Sequence, residues 1–140
     1  MKIKKIKIQN FKDFKNINLD FESSDLIVFD GPNGFGKTSI YDAIELLFTG
    51  KIRRFDDLRS ILIDGRESFS EHPFLCDYSN GDISITIEFL KKGIAYVFER
   101  TAIRDDLTNS IDFSLYKLYK KDEFDSEERD LILNEEEYLI

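Results

Sequence analysis

Apolar and polar positions alternate along much of the chain, and the period of that alternation changes near residue 37 and returns to two from residue 83. From Lys2 to Phe11 the sequence is β-rich, with Ile6 and Ile8 on one face at period two. Ile17, Leu19 and Phe21 alternate with Asn18 and Asp20, so "INLDF" reads as a half-buried strand, and Ser23-Ser24-Asp25 as a turn. "LIVF", Leu26 to Phe29, is short and continuously apolar, the pattern of a strand covered on both faces. Beyond a glycine-rich loop, Ile40, Ala43, Ile44, Leu47 and Phe48 form one helical stripe, and Gly50 stands where a helix C-cap belongs.

Residues 51–82 are less regular. "FDDLRSILIDG" is compatible with a short helix, and "ESFSEHPFLCDYSNGD" with a loop holding one or two buried aromatics. Period two then returns. Ile83, Ile85, Ile87 and Phe89 share a face, Lys92-Gly93 makes a turn, Tyr96 and Phe98 oppose Val97, and Ile111, Phe113 and Leu115 follow after the longer connection "RDDLTNS". These predict antiparallel strands over 83–120. The tail, 121–140, fits either a helix or a frayed strand.

The loop carries the chemistry. Gly31-Pro32-Asn33-Gly34-Phe35-Gly36-Lys37-Thr38 matches G-x-x-x-x-G-K-[ST] without a mismatch. Glycines at 31, 34 and 36 remove Cβ atoms that would keep a phosphate chain from the backbone N–H groups. Those N–H groups form an anion nest at a helix N-terminus, where the helix dipole adds to it. In such a loop Lys37 reaches the β- and γ-phosphates of ATP, the Thr38 hydroxyl helps hold Mg²⁺, and Ser39 follows at the cofactor-binding edge. The pattern lies between an apolar strand and an amphipathic helix, which is the context a Walker A loop requires.

Composition narrows the classes. At 140 residues the chain is the size of one domain, 41% hydrophobic, and no apolar run approaches the roughly 20 residues of a membrane span. The single cysteine, Cys76, cannot close an internal disulfide, which fits a reducing cytoplasm. The net charge of −8 is uneven: residues 1–16 hold six lysines against Asp13 alone, a net of +5, while residues 121–140 hold nine acids against two bases, a net of −7. An acidic chain is not built to wrap nucleic acid by itself, although the basic first strand offers a local contact. His72 and Cys76 are too few for a zinc site.

The run from "IKIQNF" through "GPNGFGKT" to "AIELLFTG" resembles the N-terminal segment of the SMC/RecF-type ABC ATPases. Asn10-Phe11-Lys12, Gly31 to Thr38, and Ala43-Ile44 to Gly50 carry the resemblance, and the strand-rich stretch to about Tyr119 continues it more weakly. It implies an α/β P-loop half-domain, with a mixed sheet around the Walker A helix and an antiparallel β portion. It also implies that Lys12 matches a basic residue near the nucleotide phosphates. Phe35 departs from the small residue usual at its position, and Thr38 from the commoner Ser.

In this family a head is assembled from two segments, the second carrying a Ser-Gly-Gly signature loop and a Walker B Asp-Glu pair. The sequence contains no Ser-Gly-Gly, and "LILNEEE" has Asn134 where a Walker B Asp belongs. The expectations are therefore an N-terminal lobe over 1–140 that binds ATP and Mg²⁺ but does not hydrolyse ATP alone. Its partners would be a C-terminal lobe, in cis or in trans, and a second head; DNA would be a ligand of the full assembly, with no membrane involved. The divisions are 1–50 for strand, strand, Walker A and helix, 51–82 for the connection, 83–120 for antiparallel strands and 121–140 for the acidic tail. Two other readings stand beside this one. A self-contained P-loop kinase or nucleotide sensor would need lid arginines and an acceptor site, for which Arg53-Arg54 is the one hint, and a binding module would hold nucleotide only structurally and act through protein contacts of the acidic tail.

Overall fold

The computed structural model describes residues 1–22, 24–54, 81–105 and 110–121. The suggested helix in 55–65, His72, Cys76 and the acidic tail lie outside the described residues. In chain order the elements are strands β1 (Lys2–Phe11) and β2 (Phe14–Asp20), helix α1 (Lys37–Thr49), and strands β3 (Ile83–Lys91), β4 (Ile94–Asp105) and β5 (Ser110–Lys120). They form one five-stranded sheet in the order β2-β1-β3-β4-β5. Every ladder among the described residues is antiparallel. The mixed sheet expected around the helix is thus, over these residues, an antiparallel sheet with α1 on one face.

The period-two positions explain which face. Ile8 opposes Ile17 on one side and Ile85 on the other, and Ile87 opposes Phe98. Ile6, Ile8, Ile83, Ile85, Ile87, Phe89, Tyr96, Phe98, Ala102 and Leu118 are all buried and belong to the core that also takes Ile40, Ala43, Leu46 and Leu47 of α1. Phe89 stacks on Tyr96 with centroids 5.5 Å apart, and Phe48 of the helix meets Phe98 at 5.5 Å. The opposite face carries Lys5 between Asp20 and Glu88, and Thr86 beside Glu99. Val97 and Tyr119, also opposite one another there, are buried outside the main core. At β5 the buried positions are Leu118 and Tyr119, while Leu115, expected on an apolar face, is 48% exposed.

One expected strand does not form. Leu26 to Phe29 joins no ladder. Leu26 and Val28 are 79% and 71% exposed, whereas Ile27 and Phe29 are half-buried. Only the second pair turns inward, and Phe29 packs edge-on to Phe21 at 6.1 Å and to Tyr41 at 5.8 Å. A continuously apolar run needs cover on two sides, and the described residues supply it on one.

The β1–β2 edge is pinned by charge. Lys2 pairs with Asp25 at 2.6 Å and Lys5 with Asp20 at 3.2 Å. The Glu22 N–H donates to the Asp20 carboxylate at 2.9 Å, and this bond, ahead of Lys5, holds the Asp20 carboxyl below the ordinary value of 3.8. Lys2 does the same for Asp25. A depressed carboxyl contributes stability above its unfolded value and loses it as pH falls through the folded one. In an NMR pH titration Asp20 and Asp25 should therefore titrate below 3.8, with the Glu22 amide following Asp20. Asp20→Asn should abolish that amide inflection; an inflection at or above 3.8 would contradict the pairing.

Candidate functional site

The glycine-rich loop leads straight into α1, as the sequence predicts. Gly31, Gly34 and Gly36 all take positive φ. At Gly36 the requirement is twofold. Its φ of 85° lies in the left-handed region, and a Cβ there would meet Phe14 ring atoms at 2.7 and 2.9 Å. Phe14 opens β2 and pairs with Phe11 across the hairpin, so the hairpin floor lies directly beneath the loop. Gly36 is the N-cap of α1, and no side chain caps that end; no acid stands in the first turn. A thirteen-residue helix thus begins with its first N–H groups uncapped and its positive dipole end uncontested by acids.

Lys37, the first helical residue, folds back over the loop. Its ammonium donates to the Gly31 carbonyl and to that of Pro32, the latter at 3.2 Å. Asp30 accepts from the Gly31 N–H at 2.8 Å, which fixes the loop's entry. Pro32, Asn33, Gly34, Phe35 and Thr38 are exposed, Phe35 at 75%. Ser39, taken with the cofactor-binding residues, is 8% exposed and turned into the fold.

Lys12 stands at the hairpin tip. Asn10-Phe11-Lys12 acquires a physical reason there. Asn10 (φ 54°) and Lys12 (φ 49°) both take left-handed backbone, which Asn tolerates better than most residues. The Asn10 amide donates to the Asp82 carbonyl at 2.8 Å, tying the hairpin to the start of β3. Phe11, fully buried, plugs the core. The Lys12 ammonium pairs with Asp42 of α1, 5.5 Å from the Phe11 ring centroid. Burial pulls this ammonium below the ordinary lysine value of 10.5, and Asp42 opposes that pull.

Asp42, which the motif reading does not single out, is the residue that Lys12 meets. It is 4% exposed, and besides Lys12 it accepts Nε of Arg54 at 2.9 Å and Nη2 of the same guanidinium. Its role is visible only in the fold: Asp42 lies three residues after Ser39 and four before Leu46, both buried, and an acid on that arc calls for a cation. Arg54, half of the pair taken as a hint of a kinase lid, is the cation that answers from beyond α1.

No three His, Cys, Asp or Glu side chains lie together as a metal site among the described residues. A groove of about 330 Å³ on the far face of the sheet is lined by Lys4, Lys5, Asp20, Glu88 and Lys121. Lys5 there is paired with Asp20, and Lys121 with Glu88 at 2.7 Å, so these four charges answer one another. The loop remains the candidate site. No helix among the described residues is long and apolar enough to cross a membrane.

The family described as an AAA domain matches residues 5–139. The DNA replication and repair protein RecF of Leptospira biflexa is 33% identical over 99 residues, covering 71% of this chain and 23% of its own. The RecF of Lactococcus lactis subsp. cremoris is 31% identical over 94 residues, covering 66% and 25%. That of Natranaerobius thermophilus is 39% identical over 54 residues, 39% of this chain and 14% of its own. The chain spans about a quarter of the length of the first two relatives.

Proposed function

The chain belongs to the AAA-domain family, and from that premise we propose that it is the ATP·Mg²⁺-binding N-terminal lobe of an SMC/RecF-like ATPase of DNA metabolism. The observation that carries the reading is the uncapped N-terminus of α1, set behind the Gly31–Thr38 loop with the Lys37 ammonium lying on the loop's own carbonyls. That ammonium exchanges carbonyl dipoles for phosphate oxygens, a gain in charge complementarity, while the first N–H groups of α1 take the β-phosphate. Thr38, exposed at the helix start, supplies a hydroxyl to Mg²⁺, whose remaining oxygens come from phosphate and water. ATP, when bound, supplies the γ-phosphoryl group for transfer.

Turnover, in this proposal, needs a C-terminal lobe. The Leu26–Phe29 segment supports it, since its exposed Leu26 and Val28 present apolar side chains that a further part of the head would cover. The RecF relatives, named for DNA replication and repair, point to DNA as the ligand of the complete assembly, with a second head completing each site. The cytoplasm is the proposed compartment.

Calorimetric titration of Mg·ATP should give saturable binding that Lys37→Ala abolishes, with negligible hydrolysis by the chain alone. A folded wild-type chain that binds no Mg·ATP refutes the proposal. Turnover near 1 s⁻¹, on the order of ordinary enzymes, would refute the need for a second lobe.

A further inference from the structure

Two cations from distant parts of the sequence converge on one buried carboxylate. The Asp42 side chain is 5% exposed and that of Lys12 11%, while Arg54 stands 48% exposed at the rim. Arg54 holds Asp42 with two N–H groups, which fixes the plane of the guanidinium, and Lys12 meets the same Oδ2 from the hairpin. Thr38 and Asp42 are four residues apart in α1, so their Cβ atoms are neighbours on one face, about 5–6 Å apart. The ion cluster therefore sits one helical turn from the hydroxyl assigned to Mg²⁺.

We propose that Asp42 is a positioning residue of the nucleotide site, holding Lys12 and Arg54 beside the helix N-terminus so that both lend positive charge to the bound phosphates. The inference rests on the nucleotide reading above. A mere staple between hairpin and helix would use the same contacts but would need no particular protonation state of Lys12 at the ligand. Positioning does need one. The charged groups facing Lys12 among the described residues are Asp42 on α1, Arg54 beyond it and Asp13 on the hairpin itself. Burial and Arg54 disfavour the ammonium, and Asp42 is the stronger of the two carboxylates that favour it. With Asp42 neutralised, Lys12 sheds its proton at a lower pH, and a neutral amine no longer attracts phosphate.

The test is Mg·ATP titration of the whole chain, from neutral to alkaline pH, for wild type, Asp42→Asn, Asp42→Glu, Lys12→Met and Lys37→Ala. Asp42→Asn should weaken binding about tenfold, the scale of a lost charged hydrogen bond, and its affinity should decline at a lower pH than wild type's. Asp42→Glu should restore most of both. Adding Lys12→Met to Asp42→Asn should cost little more and should remove the pH shift. If Asp42→Asn proves too unstable to titrate, Arg54→Gln takes its place, expected to lose affinity several-fold while remaining folded at the temperature of the titration. Wild-type affinity and pH profile in a folded Asp42→Asn or Arg54→Gln, with Lys37→Ala inactive, overturn this inference and leave the nucleotide reading intact. No saturable binding by folded wild type overturns both.

Discussion

Gly36→Ala should destabilise the fold by roughly 2–4 kcal/mol and take most of the nucleotide affinity with it, the sum of a left-handed backbone penalty and an overpacked contact. The two parts are separable. The backbone at Gly36 has φ 85°, which an L side chain adopts only at a cost, whatever room it is given. The added Cβ would also sit 2.7 Å from Cζ and 2.9 Å from Cε1 of Phe14. Those are the far atoms of a rigid ring, and the ring closes the hairpin against Phe11, so it moves only if the hairpin tip moves. Phe14→Leu removes the obstructing atoms. In the double variant the steric share should return and the φ share should not, so the two substitutions combine to less than the sum of their separate costs. Chemical denaturation of the four species measures this. A Gly36→Ala chain within about 0.5 kcal/mol of wild type, the range of ordinary surface changes, would contradict the close approach of hairpin and loop.

That approach marks where the sequence stops being legible. Elements whose cause is local were readable. These are α1 with its Gly50 cap, whose N–H donates to the Leu46 carbonyl at 2.8 Å, the buried face of β3, and the Lys92-Gly93 turn with both residues at positive φ. The resemblance to SMC/RecF-like ATPases was readable too, and the family and the RecF relatives show it. What depends on distant partners was not. The sequence stripe centres α1 on Ile40, Ala43, Ile44, Leu47 and Phe48, but the buried set is Ser39, Ile40, Asp42, Ala43, Leu46 and Leu47. The arc is rotated toward Asp42 because a hairpin thirty residues earlier delivers Lys12 to it. Leu26 to Phe29 failed in the opposite sense. Its apolar run reads as a doubly covered strand, and its outer pair faces away from everything described.

Arg100 is the other long-range residue, and its replacement carries the second large effect. Arg100→Met should cost about 2–4 kcal/mol, combining a buried carbonyl left unsatisfied with the loss of a cation at a helix C-terminus and over a ring. The last turn of α1 has no basic residue of its own. Arg100, 7% exposed on β4, reaches across to donate its Nε to the Leu47 carbonyl at 2.8 Å, and its guanidinium lies 5.2 Å from the Tyr116 ring centroid. Gly50 makes room for it: a Cβ there would stand 3.3 Å from Nη1, besides requiring φ 73°. Met keeps the apolar stem out to about the level of Nε without any donor, so the variant removes the cap and the guanidinium while keeping the packing of the stem. Arg100→Lys keeps the charge but not the planar fork, and should fall between Met and wild type. Tyr116→Leu, which removes the ring alone, should be mildest, at about 0.5–1 kcal/mol. The opposite ranking is physically possible, because replacing a buried ion by a well-packed apolar side chain can stabilise a protein when desolvation exceeds what its partners return. Denaturation midpoints that rise for Arg100→Met would therefore mean that the guanidinium costs more to bury than α1 gains from it. A fall, ordered Met, Lys, Tyr116→Leu, would show that the far end of the nucleotide-site helix is held to the sheet by a charge the helix itself does not carry.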